Sequence, residues 1–193
     1  MNIFIRGSLN IISNGTSSAS NLLLQIALVN TVDGDTFGWL VIVLSTYFFA
    51  LVVSRASTLE ILLLTGRSRE QPSTTWAFKR LAVFGAVALA AALGITVLAQ
   101  VDTATTLPIV LVIPFLLFQD GFRYIMWSKA MNVHVAVIDS IWLLGTLIPL
   151  VFAYWTDQLS PFLATISWSI AGVISLLVGA LLSIPKKSLP HPP

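Results

Sequence analysis

The chain has 193 residues, of which 56% are hydrophobic and 9% charged, and it contains no cysteine. An ordinary soluble domain has roughly 25% charged residues, so this composition excludes that class. The lack of cysteine excludes disulfides, thiolate metal sites and cysteine nucleophiles. The net charge of +2 comes from basic residues beside or just inside apolar runs. That distribution is typical of membrane topology signals and argues against a nucleic-acid partner.

Six long apolar runs predict an all-α bundle of six transmembrane helices, because about 20 apolar residues cross about 30 Å of hydrocarbon. The predicted helices span residues 8–30, 37–64, 78–100, 107–127, 133–154 and 161–184. Together they form a single transmembrane domain, residues 1–185, followed by a polar cytoplasmic tail, residues 186–193. Ser160-Pro161 suits the start of the last helix, whereas Pro114 and Pro149 predict kinks.

The connections between these helices alternate in charge, which predicts the orientation. In the first, third and fifth connections every charged residue is acidic: Asp33, Asp35, Asp102 and Asp157. Basic residues lie in the second and fourth connections and in both terminal segments: Arg6, Arg67, Arg69, Lys79, Arg80, Lys129, Lys186 and Lys187. Because lysine and arginine stay on the cytoplasmic side, we predict that both termini are cytoplasmic, that is, N-in and C-in.

The first predicted helix carries a stripe of uncharged polar residues: Asn10, Asn14, Ser17, Asn21 and Gln25. At about 100° and 1.5 Å per residue, the stripe covers about 80° of arc and runs about 22 Å. An amide without a partner in hydrocarbon costs several kcal/mol, so the stripe must face other helices or water. We expect it to line a hydrated, substrate-binding cavity; hydrogen bonding between helices is the alternative.

Five ionisable residues fall inside or beside the apolar runs: Arg55, Glu60, Asp120, Arg123 and Asp139. Asp120 and Arg123 are three residues apart and can pair on one helix face, whereas Arg55 and Glu60 point about 140° apart. Asp139 is therefore predicted to pair with Arg55 or Arg123, because an unpaired charge in the membrane is costly. Two interpretations stay open. One is a structural cluster of ion pairs. The other is a functional site, in which Arg55 and Arg123 bind a phosphorylated headgroup and the three acids form ion pairs or take up and release protons during transport.

Other candidate features indicate packing and no enzymatic chemistry. Ala82, Ala86, Ala90 and Gly94 recur every four residues and predict close helix packing. His134 has no neighbouring ligand or nucleophile partner. We therefore expect no catalytic residue, no metal, no cofactor and no enzyme activity.

Three stretches resemble a known family: RGSLNIISNGTSSASNLLLQIALVN, SRASTLEILLL and FQDGFRYIMWSKAMNVHVAVIDSIWLL. They look like the N-terminal six-helix lobe of bacterial polysaccharide-type flippases, in the multidrug/oligosaccharidyl-lipid/polysaccharide exporter superfamily. The resemblance covers residues 5–184 and implies the bacterial cytoplasmic (inner) membrane, a polar first helix lining a central cavity, and a lipid-linked saccharide as substrate. Family members usually have two such lobes, which implies a homodimer or a second flippase lobe as partner.

These observations predict a half-size exporter that moves a lipid-linked saccharide or polysaccharide across the lipid bilayer by alternating access. Two other functions remain open. A six-helix substrate-binding subunit of a modular importer has the same size and helix number. A non-transporting scaffold of a polysaccharide assembly complex would also need a charged, well-packed bundle.

Overall fold

The computed structural model describes the backbone of residues 3–61 and 74–183, and all of their side chains except those of residues 3–7, 9 and 10. These residues contain six α-helices and no strand. The helices are α1 Ile3–Val29, α2 Gly34–Ser54, α3 Thr74–Ala99, α4 Thr103–Ser128, α5 Asn132–Trp155 and α6 Pro161–Ser183. A π-helical turn, Arg55–Leu59, continues α2. Five of the six helices, α2 to α6, are long and apolar enough to cross a membrane. The chain is therefore an all-α, multi-pass membrane bundle.

The second and fourth helices begin earlier than the sequence predicts, because aspartates cap them. Asp33 accepts hydrogen bonds from the backbone of Thr36 at 3.0 Å and from its hydroxyl at 2.7 Å. Asp102 accepts the same pair of bonds from Thr105, at 3.1 and 2.6 Å. These bonds satisfy donors that a helix start otherwise leaves open. They also lower the pKa of both carboxyls, since they favour the charged form.

The start of the last helix agrees with the prediction, whereas two other predicted boundaries lie outside the described residues. The last helix begins at Pro161, as predicted, and Ser160 accepts a hydrogen bond from the backbone of Leu163 at 3.2 Å. The predicted end of the second helix at residue 64 and the tail at 186–193 lie outside the described residues.

α1 runs parallel to α5 along most of its length. Near one end of the bundle, Ser13 donates a hydrogen bond to Asp139. Near the other end, Leu23 and Asn30 share a groove with Leu150 and Asp157. The residue numbers rise together on both helices, so α1 and α5 point the same way. α1 is less apolar than its neighbours because of its polar stripe, yet its 27 residues extend about 40 Å, which is ample to cross a bilayer.

α4 is the most buried of the five apolar helices. It packs closely on α3, where a Cβ added to Gly85 would lie 3.1 Å from the Cβ of Pro114. α5 and α6 also approach closely: the indole N–H of Trp142 donates to the carbonyl of Trp168 at 3.2 Å, and both rings are buried. α4 and α5, packed against α3 and α6, carry three of the four charged residues described below: Asp120, Arg123 and Asp139.

The predicted packing stripe on the third helix is wrong. Ala82, Ala86, Ala90 and Gly94 are all exposed, so they do not pack within the described chain. Small residues also occur on the neighbouring face of α3, and that face is buried. It consists of Gly85, Ala88 and Ala92.

Candidate functional site

Four charged side chains from α2, α4 and α5 meet inside the bundle and form what we call the charge network: Arg55, Asp120, Arg123 and Asp139. Arg55 donates two parallel hydrogen bonds to the Asp120 carboxylate, from Nε at 2.8 Å and from Nη2 at 2.7 Å. This fork-to-fork geometry is the strong form of an arginine–carboxylate pair. It joins α2 to α4 across 65 residues of sequence.

Arg123 forms the centre of the charge network. Its Nη1 donates to Asp120 at 3.0 Å, and its Nη2 lies 3.1 Å from Asp139 on α5. The sequence predicts that Asp120 can pair with Arg123, and that pair is present. It also predicts that Asp139 pairs with Arg55 or Arg123, and the structure shows the pair with Arg123. Nη2 also makes a long hydrogen bond, 3.3 Å, to the side-chain oxygen of Asn14 on α1. One guanidinium therefore connects three helices.

Polar, uncharged side chains complete the surroundings of Asp139. Ser13 donates to one carboxylate oxygen, and Gln119 approaches the other at 3.5 Å. Gln119 also donates to Ser175 at 3.1 Å, and Ser175 donates to the carbonyl of Ile138 at 2.8 Å. The network thereby reaches α6 and anchors α1 to α5.

The charge network is electrically balanced, with two arginines and two aspartates. Asp120 and Arg123 are each 2% exposed and Asp139 is 0% exposed, whereas the Arg55 side chain is 31% exposed. Buried ions are tolerated only when paired, and here each carboxylate has an arginine partner. Arg55 alone is open: its Nη1 makes no hydrogen bond among the described residues. Arg55 is therefore the member that can reach another anion.

The π-helical turn determines where Arg55 and Glu60 lie. The Glu60 N–H donates to the Arg55 carbonyl, which is the i to i+5 bond of a π-bulge. π-bulges occur frequently at functional sites. Glu60 is exposed and forms no ion pair among the described residues, so the structure does not bring this predicted member into the charge network.

Two aromatic rings cover the arginines. The guanidinium carbon of Arg55 lies 5.9 Å from the ring centre of Tyr124, and that of Arg123 lies 5.0 Å from Trp127. Such cation–π contacts stabilise a desolvated arginine. Nε of Arg123 is buried without a hydrogen-bond partner. The contact with the ring therefore helps to stabilise a guanidinium whose donors are not all hydrogen-bonded.

The polar stripe of α1 borders the packed face of that helix. Asn14 is exposed, whereas Ser17, Asn21 and Gln25 are half-buried. The side chain of Asn10 lies outside those the structure describes. Asn14 contacts Arg123, and the side-chain oxygen of Asn21 is buried without a partner. The stripe thus adjoins the charge network at Asn14, and its facing a hydrated cavity stays a prediction.

Sequence reasoning missed the neutral residues of this site. Ser13 and Gln119 are both almost fully buried, and each directly precedes a residue that was singled out. Ser175, Tyr124 and Trp127 also contribute contacts. The available signal was a polar or amphipathic side chain within one helical turn of a charge, in an otherwise apolar run.

Within the described residues, no cluster of three or more histidines, cysteines or acids is arranged to hold a metal ion. No family model, curated protein or solved structure matches the chain. What the site can do chemically therefore follows from its own geometry: it holds two buried carboxylates in ion pairs and leaves one guanidinium edge open to an anion.

Proposed function

We propose that the chain is one lobe of a membrane transporter that moves a lipid-linked saccharide across the bilayer by alternating access. The observation that carries this proposal is the partly exposed Arg55 in an otherwise buried charge network, with the exposed amide of Asn14 contacting the same network. A sugar–phosphate headgroup needs a cation for its phosphate and uncharged polar groups for its hydroxyls. Arg55 supplies the first and the stripe of α1 supplies the second.

The network can release Arg55 without leaving a carboxylate unpaired. Asp120 contacts both Arg55 and Arg123, at 2.7 and 3.0 Å. If a phosphate takes Arg55, Asp120 keeps Arg123, whose other edge still faces Asp139 at 3.1 Å. The exchange therefore costs less than breaking an isolated buried pair. It also couples substrate binding to the contact between α2 and α4, which gives the lobe two arrangements.

We expect the lobe to act as a parallel homodimer, or beside a second flippase lobe, in the bacterial inner membrane. Six crossings return the chain to its starting side, so two lobes in the same orientation are related by an axis along the membrane normal. A two-fold interface reuses the same surface on both copies. The two α1 stripes would then face each other across a cleft open to water.

The direct test is transport of a labelled lipid-linked saccharide in vesicles containing the purified protein. Arg55→Gln should slow flipping about tenfold or more, because a charge-assisted contact is lost. Arg80→Gln is the matched control, since Arg80 is exposed and, within the described residues, donates a hydrogen bond to the Ser57 carbonyl at 3.3 Å and lies 5.0 Å from the ring centre of Trp76, with no part in the charge network. Equal rates for both variants, or no flipping by a folded wild-type protein, would contradict the proposal.

The cavity and the dimer can be tested with single cysteines, because the chain has none of its own. Cysteine at Asn14, Ser17 or Asn21 should react with a membrane-impermeant thiol reagent in opened membranes, and cysteine at Ile12 should not. Cysteine at Asn14 should also crosslink two copies. Equal labelling of both sets removes the cavity, and a monomer that still flips substrate removes the dimer.

The charge balance of the network favours a second candidate, a non-transporting scaffold. Two arginines and two aspartates neutralise one another without a ligand, as a structural cluster requires. A scaffold should tolerate alanine at Asn14, Ser17, Asn21 and Gln25 without loss of function in cells. A transporter should not.

A further inference from the structure

A groove of about 900 Å³ lies between α1 and α5 at the end of the bundle opposite the charge network. Its apolar floor includes Leu23 and Ala27 of α1 and Leu150 of α5. Its mouth is polar and is formed by Asn30, Thr31, Tyr154, Trp155 and Asp157. The groove is therefore amphipathic along the bundle axis, with a polar mouth where the membrane-spanning helices end.

The mouth combines one carboxylate with two aromatic rings. Trp155 is 82% exposed and Tyr154 is 70% exposed. Among the described residues that line the groove, Asp157 is the only carboxylate, and no lysine, arginine or histidine accompanies it. Aromatic faces beside a carboxylate attract an ammonium group, through the ring quadrupole and the opposite charge. With no such cation among the described residues that line the groove, an anion there would have only neutral hydrogen-bond donors.

The wider charge pattern at this end of the bundle points the same way. We call it the acidic end, because its described connections contain Asp33, Asp102 and Asp157, the first turn of α2 adds Asp35, and no lysine or arginine lies among them. An anionic lipid is therefore repelled here, and a headgroup with a positive charge is favoured.

The apolar part of this surface fits a lipid with two chains. Leu147, Val151 and Trp155 follow one another at intervals of four on α5 and form a ridge. The 900 Å³ groove lies on one side of this ridge, and a second apolar groove of about 370 Å³, lined by Ile148 and Phe152, lies on the other. Two acyl chains can straddle such a ridge with one headgroup above it.

We propose that this groove is a binding site for a zwitterionic glycerophospholipid, whose ammonium group contacts Asp157, Tyr154 and Trp155. One acyl chain occupies the groove between α1 and α5, and the other lies across the ridge. The site does not depend on the transport function proposed above. Bound lipid joins the helices at the acidic end, where no charge network holds α1 to α5.

The test is native mass spectrometry of the purified protein with equal amounts of phosphatidylethanolamine, phosphatidylcholine and phosphatidylglycerol of identical acyl chains. The ammonium lipids should be retained about tenfold better than phosphatidylglycerol, as expected when one charge-assisted contact is lost. Preference for ethanolamine identifies the carboxylate as the main contact, and preference for choline identifies the rings. Equal retention of all three lipids would overturn the proposal.

Variants separate a specific site from general solvation by lipid. Asp157→Asn should reduce retention of the ammonium lipids to the level of phosphatidylglycerol, and Asp35→Asn, an exposed acid at the same end, should not. Asp157 has a left-handed backbone, φ 52°, which asparagine also adopts, so this change should leave the fold intact. Trp155→Leu is the second variant and should weaken choline binding most. Unchanged lipid preference in both variants would contradict the site.

Discussion

The charge network and the acidic end use aspartate in opposite ways. Asp120 and Asp139 are buried and paired with arginine, so they tie helices to one another. Asp33 and Asp102 are exposed and bond only to their own helix starts. Because water already solvates an exposed carboxylate, the exposed acids contribute local hydrogen bonds, whereas removing a buried partner leaves a charge without compensation. Burial within the bundle therefore decides how much each aspartate contributes to stability.

The largest effect should come from Asp139→Asn. This change leaves Arg123 paired with Asp120 alone and gives the buried network a net positive charge. We expect a loss of about 3–5 kcal/mol in the free energy of unfolding, measured in mixed micelles. Ser140→Ala is the matched control on the same helix, because the Ser140 hydroxyl, within the described part of the chain, bonds only to the Ala136 carbonyl. This change should alter stability by about 0.5 kcal/mol or less.

A second substitution tests whether the loss arises from the pair. Asp139→Asn combined with Arg123→Gln restores the charge balance and keeps Asp120 paired with Arg55. The double variant should recover part of the stability lost by the single variants. Strictly additive losses would mean that the two side chains do not interact.

The close packing of α5 against α6 lies between the charge network and the acidic end. Gly145→Ala should disrupt this packing. A Cβ at this position would lie 2.8 Å from the Cβ of Ala171, which belongs to the opposite helix and cannot swing away. We expect a loss of about 1–3 kcal/mol in the same unfolding assay. Gly94→Ala, with open space around its position, should be neutral or stabilising. Equal changes in stability for the two variants would show that the contact with Ala171 is not responsible.

At the acidic end, Asp102→Ala should cost about 1 kcal/mol, the usual value of a helix cap. It removes the acceptor of the Thr105 and Ala104 backbone N–H groups, each at 3.1 Å. Asp35→Ala is the control, since Asp35 is exposed and its side chain makes no capping bond. If Asp102→Ala matched Asp139→Asn in cost, the contrast between the two ends would fail.

The smallest effect is the acid dependence of that cap. The hydroxyl of Thr105, then the backbone N–H of Ala104, lower the pKa of Asp102 below its usual value in the folded protein. Its contribution is therefore complete above the unfolded pKa, about 3.9, and is lost as the pH falls through the lower folded value. Thermal unfolding measured between about pH 6 and about pH 3 should show a slightly steeper decline for wild type than for Asp102→Asn. Identical slopes would mean that the charged form is not required.

The sequence was sufficient for features that depend on local chemistry. The length of the apolar runs predicts the helical bundle. The rule that buried charges need partners predicts that Asp139 pairs with Arg55 or Arg123, but it cannot choose between the two arginines. The bond between Arg55 and Asp120 was not predicted, because it depends on α2 lying beside α4. The apolar runs predict starts for α2 and α4 that are too late, because the helices begin directly after the capping residues Asp33 and Asp102. Each of these aspartates is followed three residues later by a threonine that bonds to it, and that spacing is a local signal of a helix start.

Faces of helices were harder to predict than helices. α3 has small residues on two adjacent faces, so spacing alone could not identify Gly85, Ala88 and Ala92 as the packed set. On α1, the spacing of the amides predicts that the stripe is the functional face. The buried contact to Asp139 is instead made by Ser13, a smaller side chain beside the stripe. Which of two neighbouring polar faces is buried depends on the partner helix, and that information is not local.

The parallel pairing of α1 with α5 sets an order of events during synthesis. Ser13 and Asp139 are separated by 126 residues, so at about 5–20 residues per second the ribosome needs roughly 6–25 s to make the second after the first. During that interval α1 exists without its α5 partner, and the hydroxyl of Ser13 lacks its bond to Asp139. Closure of α1 onto α5 is consequently a late step of assembly. A quality-control factor that recognises unpaired polar helices would meet this protein through α1.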